Sequence, residues 1–497
     1  MNSAIKWERV AVVFLFMTGI ILRLRQYLTG RSLWADEAML ALNIVNRTMG
    51  GLFKPLDYDQ GAPIGFLLIE KIFNLLFSKN EYSLRLFPLA VGIASLWLFY
   101  LLLKRTTSAA GLVTALALFV LNPRLIYYSS EVKQYIIDAA IMIGLLLTAA
   151  PLFEAKPQKR DFAILAGVGF IALWFSHPAL FVLAGIGLTL LIIYLQRQDY
   201  INLRYAIGTG MVWLITIGFL YILILNDLQQ NAYMREYWWG GFFPVPPWSD
   251  PSWFGRSINE NIGIQFGIPY ATYFVFILVL IGWVWLWMQY RNYAIAVGLI
   301  FLITLTASAF KLYPIFERMI LFTVPIGLIL IGKSVEFFSH RLSNQRWLNG
   351  FVTLTLAGYL LYGPFTTSLD SFLNPKYFEH IRPSMQFLHD TWQDGDSLFV
   401  TNGAIPAFEY YAPTYRLAEI SYVSTRREAY KNNGEILEQL DALKGQSRVW
   451  ILMSHVYEKD GFNERDFILD YLKQIGQRKR SFQLAGTSVY LYLYDLK

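Results

Sequence analysis

Long apolar stretches recur along the chain, each bounded by a few Arg, Lys, Asp or Gly residues, and this alternation predicts helices that cross a bilayer. They occupy residues 10–22, 86–103, 109–127, 135–153, 162–175, 179–195, 206–225, 270–288, 294–310, 319–331 and 348–361. A helix spans the hydrocarbon with about 20 apolar residues, so the pattern predicts about eleven crossings. Between the first two stretches the pattern changes. Residues 38–81 scatter Arg47, Lys54, Asp57, Asp59, Glu70 and Lys71 among Leu, Ile and Phe, which predicts interfacial amphipathic helices broken at Gly50-Gly51 and at Gly61-Ala62-Pro63. Past about Gly363, residues 397–401, 448–453 and 488–494 read as strands and 405–411 and 466–475 as helices, a small α/β domain. The expected organisation is a transmembrane domain over 1–363, with a first outer loop at 29–85 and an aromatic outer loop at 226–269, followed by an extracytoplasmic α/β domain over 364–497.

Composition agrees with a polytopic α-helical membrane protein. Of 497 residues, 55% are hydrophobic and only 15% are charged, against about 25% in soluble chains. The absence of cysteine excludes disulfides, Cys-ligated metals and a thiol nucleophile. A formal charge of +7 suits anionic lipid or phosphate, and nothing in the sequence resembles a nucleic-acid footprint. Lys6 and Arg9 precede the first span and no small-x-small cleavage site follows it, so it is expected to be a retained helix with a cytoplasmic N-terminus. The loops then expected in the cytoplasm hold Lys104, Arg105, Lys156, Lys159, Arg160, Arg197, Arg204, Arg291, Lys333, Arg341 and Arg346, following the positive-inside rule. An odd number of crossings places the C-terminal domain outside, and the expected location is the bacterial inner membrane.

Polar residues gather where the outer ends of the spans are predicted. The first cluster is Asp36 with Glu37, a few residues past the first span. The second is Asp57-Tyr58-Asp59-Gln60 followed by Arg85; the third includes Arg124, Tyr127, Tyr128, Glu131, Lys133, Tyr135 and Asp138; the fourth is Lys311 with Glu317 and Arg318. Each has a bland reading. Asp36 could be the N-cap of a surface helix with Glu37 at the positive end of its dipole, Lys133 could snorkel, and Glu317-Arg318 could be a structural ion pair. Ionisable residues at membrane depth are functional by default, however. Carboxylates and cations converging at the membrane edge suit transfer of a group from a phosphate-bearing lipid to a hydroxyl: a carboxylate takes the hydroxyl proton and cations stabilise the departing phosphate. His177, in Ser176-His177-Pro178, is a candidate substrate contact whose alternative is a turn residue. A metal site needs several convergent donors, so no obligatory metal or other cofactor is expected, although a divalent ion is compatible with the chemistry. The Trp- and Tyr-rich loop at 226–269 is expected to be a mobile lid over an outer cavity, its bland reading being an interfacial aromatic belt.

Three of these motifs carry a family resemblance: Leu33-Trp34-Ala35-Asp36-Glu37-Ala38, Gln60-Gly61-Ala62-Pro63-Ile64-Gly65-Phe66 and Ser83-Leu84-Arg85-Leu86-Phe87-Pro88. They resemble the polyprenyl-phosphate-sugar-dependent glycosyltransferases of the GT-C fold, and within it the family 39 branch of protein mannosyltransferases and lipid A aminoarabinose transferases. Lys133 with Asp138 resembles that branch's basic-x4-Asp element, and Phe316-Glu317-Arg318 with Pro325 its late arginine segment. The resemblance covers the membrane portion and is loose in the C-terminal domain. It implies Asp36 as the base activating the acceptor, Glu37 as its positioner, Lys133, Arg85 and Arg318 as holders of the lipid phosphate, and inversion at the anomeric carbon. Lys311 joins the phosphate set; Asp59, Gln60, Glu131, Tyr135 and Asp138 join His177 as candidate substrate contacts. Lysine stands at 133 where the mannosyltransferases carry arginine, a point charge in place of a bidentate fork. The partners implied are a polyprenyl-phosphate-linked sugar, a hydroxyl-bearing acceptor and membrane lipid. The competing class is a transporter or flippase of a lipid-linked saccharide, for which the paired broken helices of transporters are a marker not found in the sequence. A polymerase or ligase using pyrophosphate-linked glycans is a third reading, and a membrane anchor for the outer domain a fourth. The sequence leaves the sugar, the acceptor and the oligomeric state open.

Overall fold

The computed structural model describes residues 2–77, 80–154, 157–425, 433–459 and 461–497, so Lys156 of the cytoplasmic basic set lies outside the described residues. The chain forms two compact units. One comprises Met1–Leu28, Met49–Ser78 and Tyr82–Asn374; the other comprises Thr29–Thr48, Lys79–Glu81 and Pro375–Lys497. The last long helix of the membrane portion continues past Gly363 to Leu373, and the division falls after Asn374.

In chain order the helices are α1 (Asn2–Leu28), α2 (Ala35–Asn46), α3 (Ile64–Leu76), α4 (Glu81–Thr106), α5 (Ala109–Leu121), α6 (Pro123–Tyr128), α7 (Tyr135–Ala149), α8 (Lys159–Phe175), α9 (Ala179–Gln196) and α10 (Tyr200–Leu220). There follow α11 (Asn226–Gln230), α12 (Ala232–Tyr237), α13 (Ser252–Ile258), α14 (Thr272–Gln289), α15 (Arg291–Ala309), α16 (Val324–Arg341), α17 (Arg346–Leu373), α18 (Arg382–Thr391), α19 (Ile405–Tyr411), α20 (Asn433–Asp441) and α21 (Glu464–Ile475). All eleven apolar stretches fall on helices. Seven helical segments among the described residues are long and apolar enough to cross a membrane, and the chain is a multi-pass membrane protein. The stretch at 109–127 is split because Asn122 leaves the helical region and restarts it: its side chain accepts the Leu125 N–H at 2.9 Å, with Pro123 at the first helical position.

Helix α16 is the axis of the membrane unit, almost wholly buried between α5 and α14. A Cβ on Gly332 would meet the Gly111 carbonyl oxygen at 2.7 Å and one on Gly282 would meet the Leu330 carbonyl oxygen at 1.8 Å, so glycine is what lets these backbones approach. Lys333, on the same helix, is fully buried and pairs with Glu336 at 2.7 Å. Glu336 also accepts the Ser108 N–H at 2.7 Å and the Trp285 indole N–H at 3.1 Å, and Lys333 also donates to Gln289. A residue counted for topology therefore serves a satisfied buried network that ties α5, α14 and α16 together.

The second unit is built on a five-stranded sheet. Its strands are β1 (Ser397–Val400), β2 (Tyr422–Ser424), β3 (Val449–Met453), β6 (Gln477–Phe482) and β7 (Tyr490–Asp495), in the order β2-β1-β3-β7-β6; β4 (Glu458–Lys459) and β5 (Phe462–Asn463) form a separate hairpin. β1 is parallel to β2 and β3, and β7 is antiparallel to β3 and β6. β3 is buried along its whole length, as a central strand covered on both faces requires. Phe399, Ile451 and Met453 pack with Ile468 and Leu472 of α21 and with Ile436 and Leu440 of α20. In this unit α2 lies against α19.

Candidate active site

The segment carrying Asp36 and Glu37 is held in the second unit by side chains of the C-terminal domain. Helix α2 begins at Ala35 with Trp34 at its N-cap, so Asp36 and Glu37 sit in the first turn and neither is the cap. Trp34 makes no capping bond; the work falls to Glu379, whose Oε2 accepts the Ala35 N–H at 2.9 Å. The preceding amides are held the same way. The Ser32 N–H goes to His380 Nδ1 at 3.1 Å and the Leu33 N–H to the Tyr411 hydroxyl at 2.8 Å, while Arg382 donates to the Gly30 carbonyl. Tyr411 in turn donates to Glu81 at 2.7 Å, and Glu81 pairs with Arg382 at 3.3 Å. Glu37 is fully buried and faces Arg31 at 3.9 Å, which suits a positioning carboxylate, whereas Asp36 is half-buried. Glu379 also binds His455 Nδ1 at 2.8 Å, and the His455 ring lies 6.1 Å from that of Trp34.

The membrane unit brings the remaining candidates into neighbouring groups. Lys133 Nζ donates to Gln60 Oε1 at 2.7 Å, joining the second and third clusters. Arg318 Nε donates to the Tyr135 hydroxyl at 3.0 Å, and its guanidinium lies over the rings of Tyr135 and Trp238 at 5.8 and 5.6 Å. Tyr128 stacks edge-on with Tyr135 at 5.2 Å. Burial pushes the Tyr128 hydroxyl well above the usual phenol range; the Glu131 charge adds to this and Arg318 opposes it, so Glu131 and Arg318 act on the same ring. Asp59 accepts from Asn231 at 2.7 Å. Arg85 is buried and its charge acts on the Tyr27 hydroxyl, and Asp138 is buried at a hydrogen bond from Ser176.

A cavity of about 560 Å³ opens beside these groups in the same unit, lined by His177, Arg235, Trp238, Lys311 and Tyr313 among apolar residues of α8, α9 and α10. The aromatic loop contributes part of its wall. The loop is anchored by the Ile315 N–H donating to the Gly241 carbonyl at 2.7 Å, by Trp238 against Phe316, and by Lys311, which donates to the Phe243 carbonyl at 3.3 Å and lies over the Trp239 ring at 5.0 Å. Burial pushes the His177 imidazole down to about 4, so it is neutral at physiological pH. The backbone is unusual here too. Tyr58, Asp59, Lys311 and Glu317 are four of the seven non-glycine residues with positive φ among those described. Such conformations cost about 1–3 kcal/mol each and survive where surrounding contacts enforce them, typically at functional sites. Among the described residues no three His, Asp or Glu side chains are grouped to hold a metal ion.

Asn231, Tyr411, Glu379, His380 and His455 were not legible as site residues. Each lies far along the chain from the group it holds, and none belongs to a spaced motif of polar residues.

No family model matches the sequence, and no curated protein matches it. Solved structures do. ArnT from Cupriavidus metallidurans, in the apo state, superposes with a TM-score of 0.55 over 99% of this chain and 98% of that one, at 12% identity. The fold is GT-C. The same ArnT bound to undecaprenyl phosphate gives 0.55, covering 98% of each chain at 12% identity. The oligosaccharyltransferase AglB from Archaeoglobus fulgidus, in complex with an inhibitory peptide and a dolichol-phosphate, gives 0.54 over 99% of this chain and 74% of that one, also at 12% identity. The GT-C expectation drawn from the motifs of the first outer loop is therefore met at the level of fold.

Proposed function

We propose that the protein is an inverting glycosyltransferase that moves a sugar from a polyprenyl-phosphate donor to a hydroxyl acceptor outside the cytoplasm, in a bacterial inner membrane. The observation that carries this is the end-to-end likeness to ArnT, a protein solved with undecaprenyl phosphate bound. The likeness to AglB, solved with a dolichol-phosphate, supports the same donor class. In the proposed step a carboxylate oxygen of Asp36 accepts the acceptor hydroxyl proton as that oxygen attacks the anomeric carbon. The bond from the anomeric carbon to the phosphate oxygen breaks, and polyprenyl phosphate leaves with the bonding electrons. Lys133, Arg85, Arg318 and Lys311 are the groups proposed to stabilise its charge. Glu37, tied to Arg31, holds the turn that carries Asp36. Asp59, Gln60, Glu131, Tyr135, Asp138 and His177 are the proposed substrate contacts, and the aromatic loop with Trp238 is a proposed lid.

The test is transfer in proteoliposomes supplied with radiolabelled polyprenyl-phosphate sugars and a membrane extract as acceptor source. A new labelled glycoconjugate is expected from the wild type and none from Asp36→Asn, with donor binding retained. An Asp36→Asn protein that transfers at the wild-type rate refutes the base assignment. Movement of label across the bilayer without a new glycosidic bond refutes the enzyme.

A further inference from the structure

We infer that His455 is a positioning residue for Asp36, acting through Glu379 and through its own charge. The inference rests on the reading of Asp36 as the base. It starts from the needs of a helix N-terminus, which leaves backbone N–H groups without intrahelical acceptors and favours negative charge. The first turn of α2 supplies that charge to excess: Asp36 and Glu37 lie in it, and Glu379 binds the Ala35 N–H. Three carboxylates around one turn repel each other and require cations. Arg31 faces Glu37. His455 binds the second oxygen of Glu379 at 2.8 Å, so a single carboxylate joins the imidazole to the turn that carries Asp36.

The placement of His455 is itself costly. It is a non-glycine residue at φ 51°, two residues past the carboxyl end of the central strand β3, and a Cβ on Gly403, in the connection after β1, would meet its carbonyl oxygen at 2.5 Å. Loops at the carboxyl ends of parallel strands are the usual place for functional groups in open α/β sheets. Among the described residues the charged groups that act on the imidazole are Glu379, first through its hydrogen bond, and then Asp36 and Glu464; against the opposing effect of burial they hold the imidazole above its ordinary range. The charged form therefore prevails below that raised value, and the clasp weakens as pH rises through it. Transfer is expected to fall along an alkaline limb set by His455.

The experiment uses the full-length protein in nanodiscs with isotopically labelled histidine. The His455 resonance is assigned by its loss in His455→Gln and followed from pH 5 to 9, with the other histidines reporting intact folding. Its midpoint is expected to lie above that of a free imidazole, to fall in Glu379→Gln, and to fall by a smaller resolved amount in Asp36→Asn. His455→Gln is expected to lose the alkaline limb of transfer from radiolabelled polyprenyl-phosphate sugar. A midpoint that ignores Asp36→Asn, or an alkaline limb that survives in His455→Gln, overturns the inference. The resonance needs no turnover, so a protein whose His455 responds as expected but transfers no sugar overturns the glycosyltransferase reading instead.

Discussion

Tyr411→Phe removes one oxygen and little volume, which makes it a clean probe of how the acid-bearing turn is held. The lost hydroxyl accepts the Leu33 N–H at 2.8 Å and donates to Glu81 at 2.7 Å, and Leu33, Tyr411 and Glu81 are all buried. Leaving a buried donor unsatisfied costs about 1–3 kcal/mol, and a bond to a charged partner contributes about 1.5–3 kcal/mol. Glu81 keeps Arg382 at 3.3 Å, so most of the second term survives. The net loss is about 2 kcal/mol, localised to the turn, and at about 1.4 kcal/mol per factor of ten it corresponds to roughly 30-fold faster opening. Hydrogen exchange by mass spectrometry would read it in a peptide covering residues 30–38, with a peptide from β3 as the internal standard. The expected result is fast exchange in the first and unchanged exchange in the second. Equal rates in both proteins across 30–38 would show that the turn is held by something other than this hydroxyl, and the account of the C-terminal domain as its support would fail.

Lys133→Met should raise the donor KM by about 10- to 100-fold, the value of one charge-assisted contact, while Lys133→Arg retains most of the affinity; an unchanged KM in a donor titration removes Lys133 from the phosphate set. His177 has its folded pKa lowered to about 4, so the stability it confers is complete above the ordinary imidazole value of about 6.5 and is lost as pH falls from there toward 4. His177→Gln should flatten that acid limb of the melting temperature measured between pH 4 and 7, and an identical limb in both proteins would exclude His177 as its source. Lys333→Met leaves the Glu336 carboxylate buried without its cation and should cost about 3–5 kcal/mol, whereas Lys333→Met with Glu336→Gln, which removes the stranded charge and keeps an acceptor for the Ser108 and Trp285 N–H groups, should cost less; a thermal double-mutant cycle with no coupling would refute the paired network.

What the sequence revealed follows from which forces leave a periodic trace. Helix 405–411 was legible to the residue, and β1, β3 and β7 to within two, because apolar runs of that length between turn residues have few other uses. β6, Gln477-Arg-Lys-Arg-Ser-Phe482, is an exposed edge strand whose charges hide it, and β2 is three residues long. At the site, polar clusters on separate predicted spans announced themselves by being costly at membrane depth. Lys133 and Gln60, 73 positions apart, came from two such clusters. Asn231, the partner of Asp59, is an uncharged amide in an aromatic loop, where its polarity carries no cost that marks it.

The turn bearing Asp36 was the most conspicuous motif, yet its support was invisible. Its amides are held by His380, Tyr411 and Glu379, between 344 and 378 positions away, through side-chain to backbone bonds that impose no spacing on either partner. This has a consequence for experiments on the C-terminal domain. Cutting the chain after Asn374 removes the acceptors of three amides as well as Arg382, so the turn loses its frame whether or not the domain takes any part in the chemistry. An inactive truncation is then expected under both views. Tyr411→Phe and His455→Gln separate them, because the first loosens the turn at every pH, whereas the second removes a charge whose effect depends on pH.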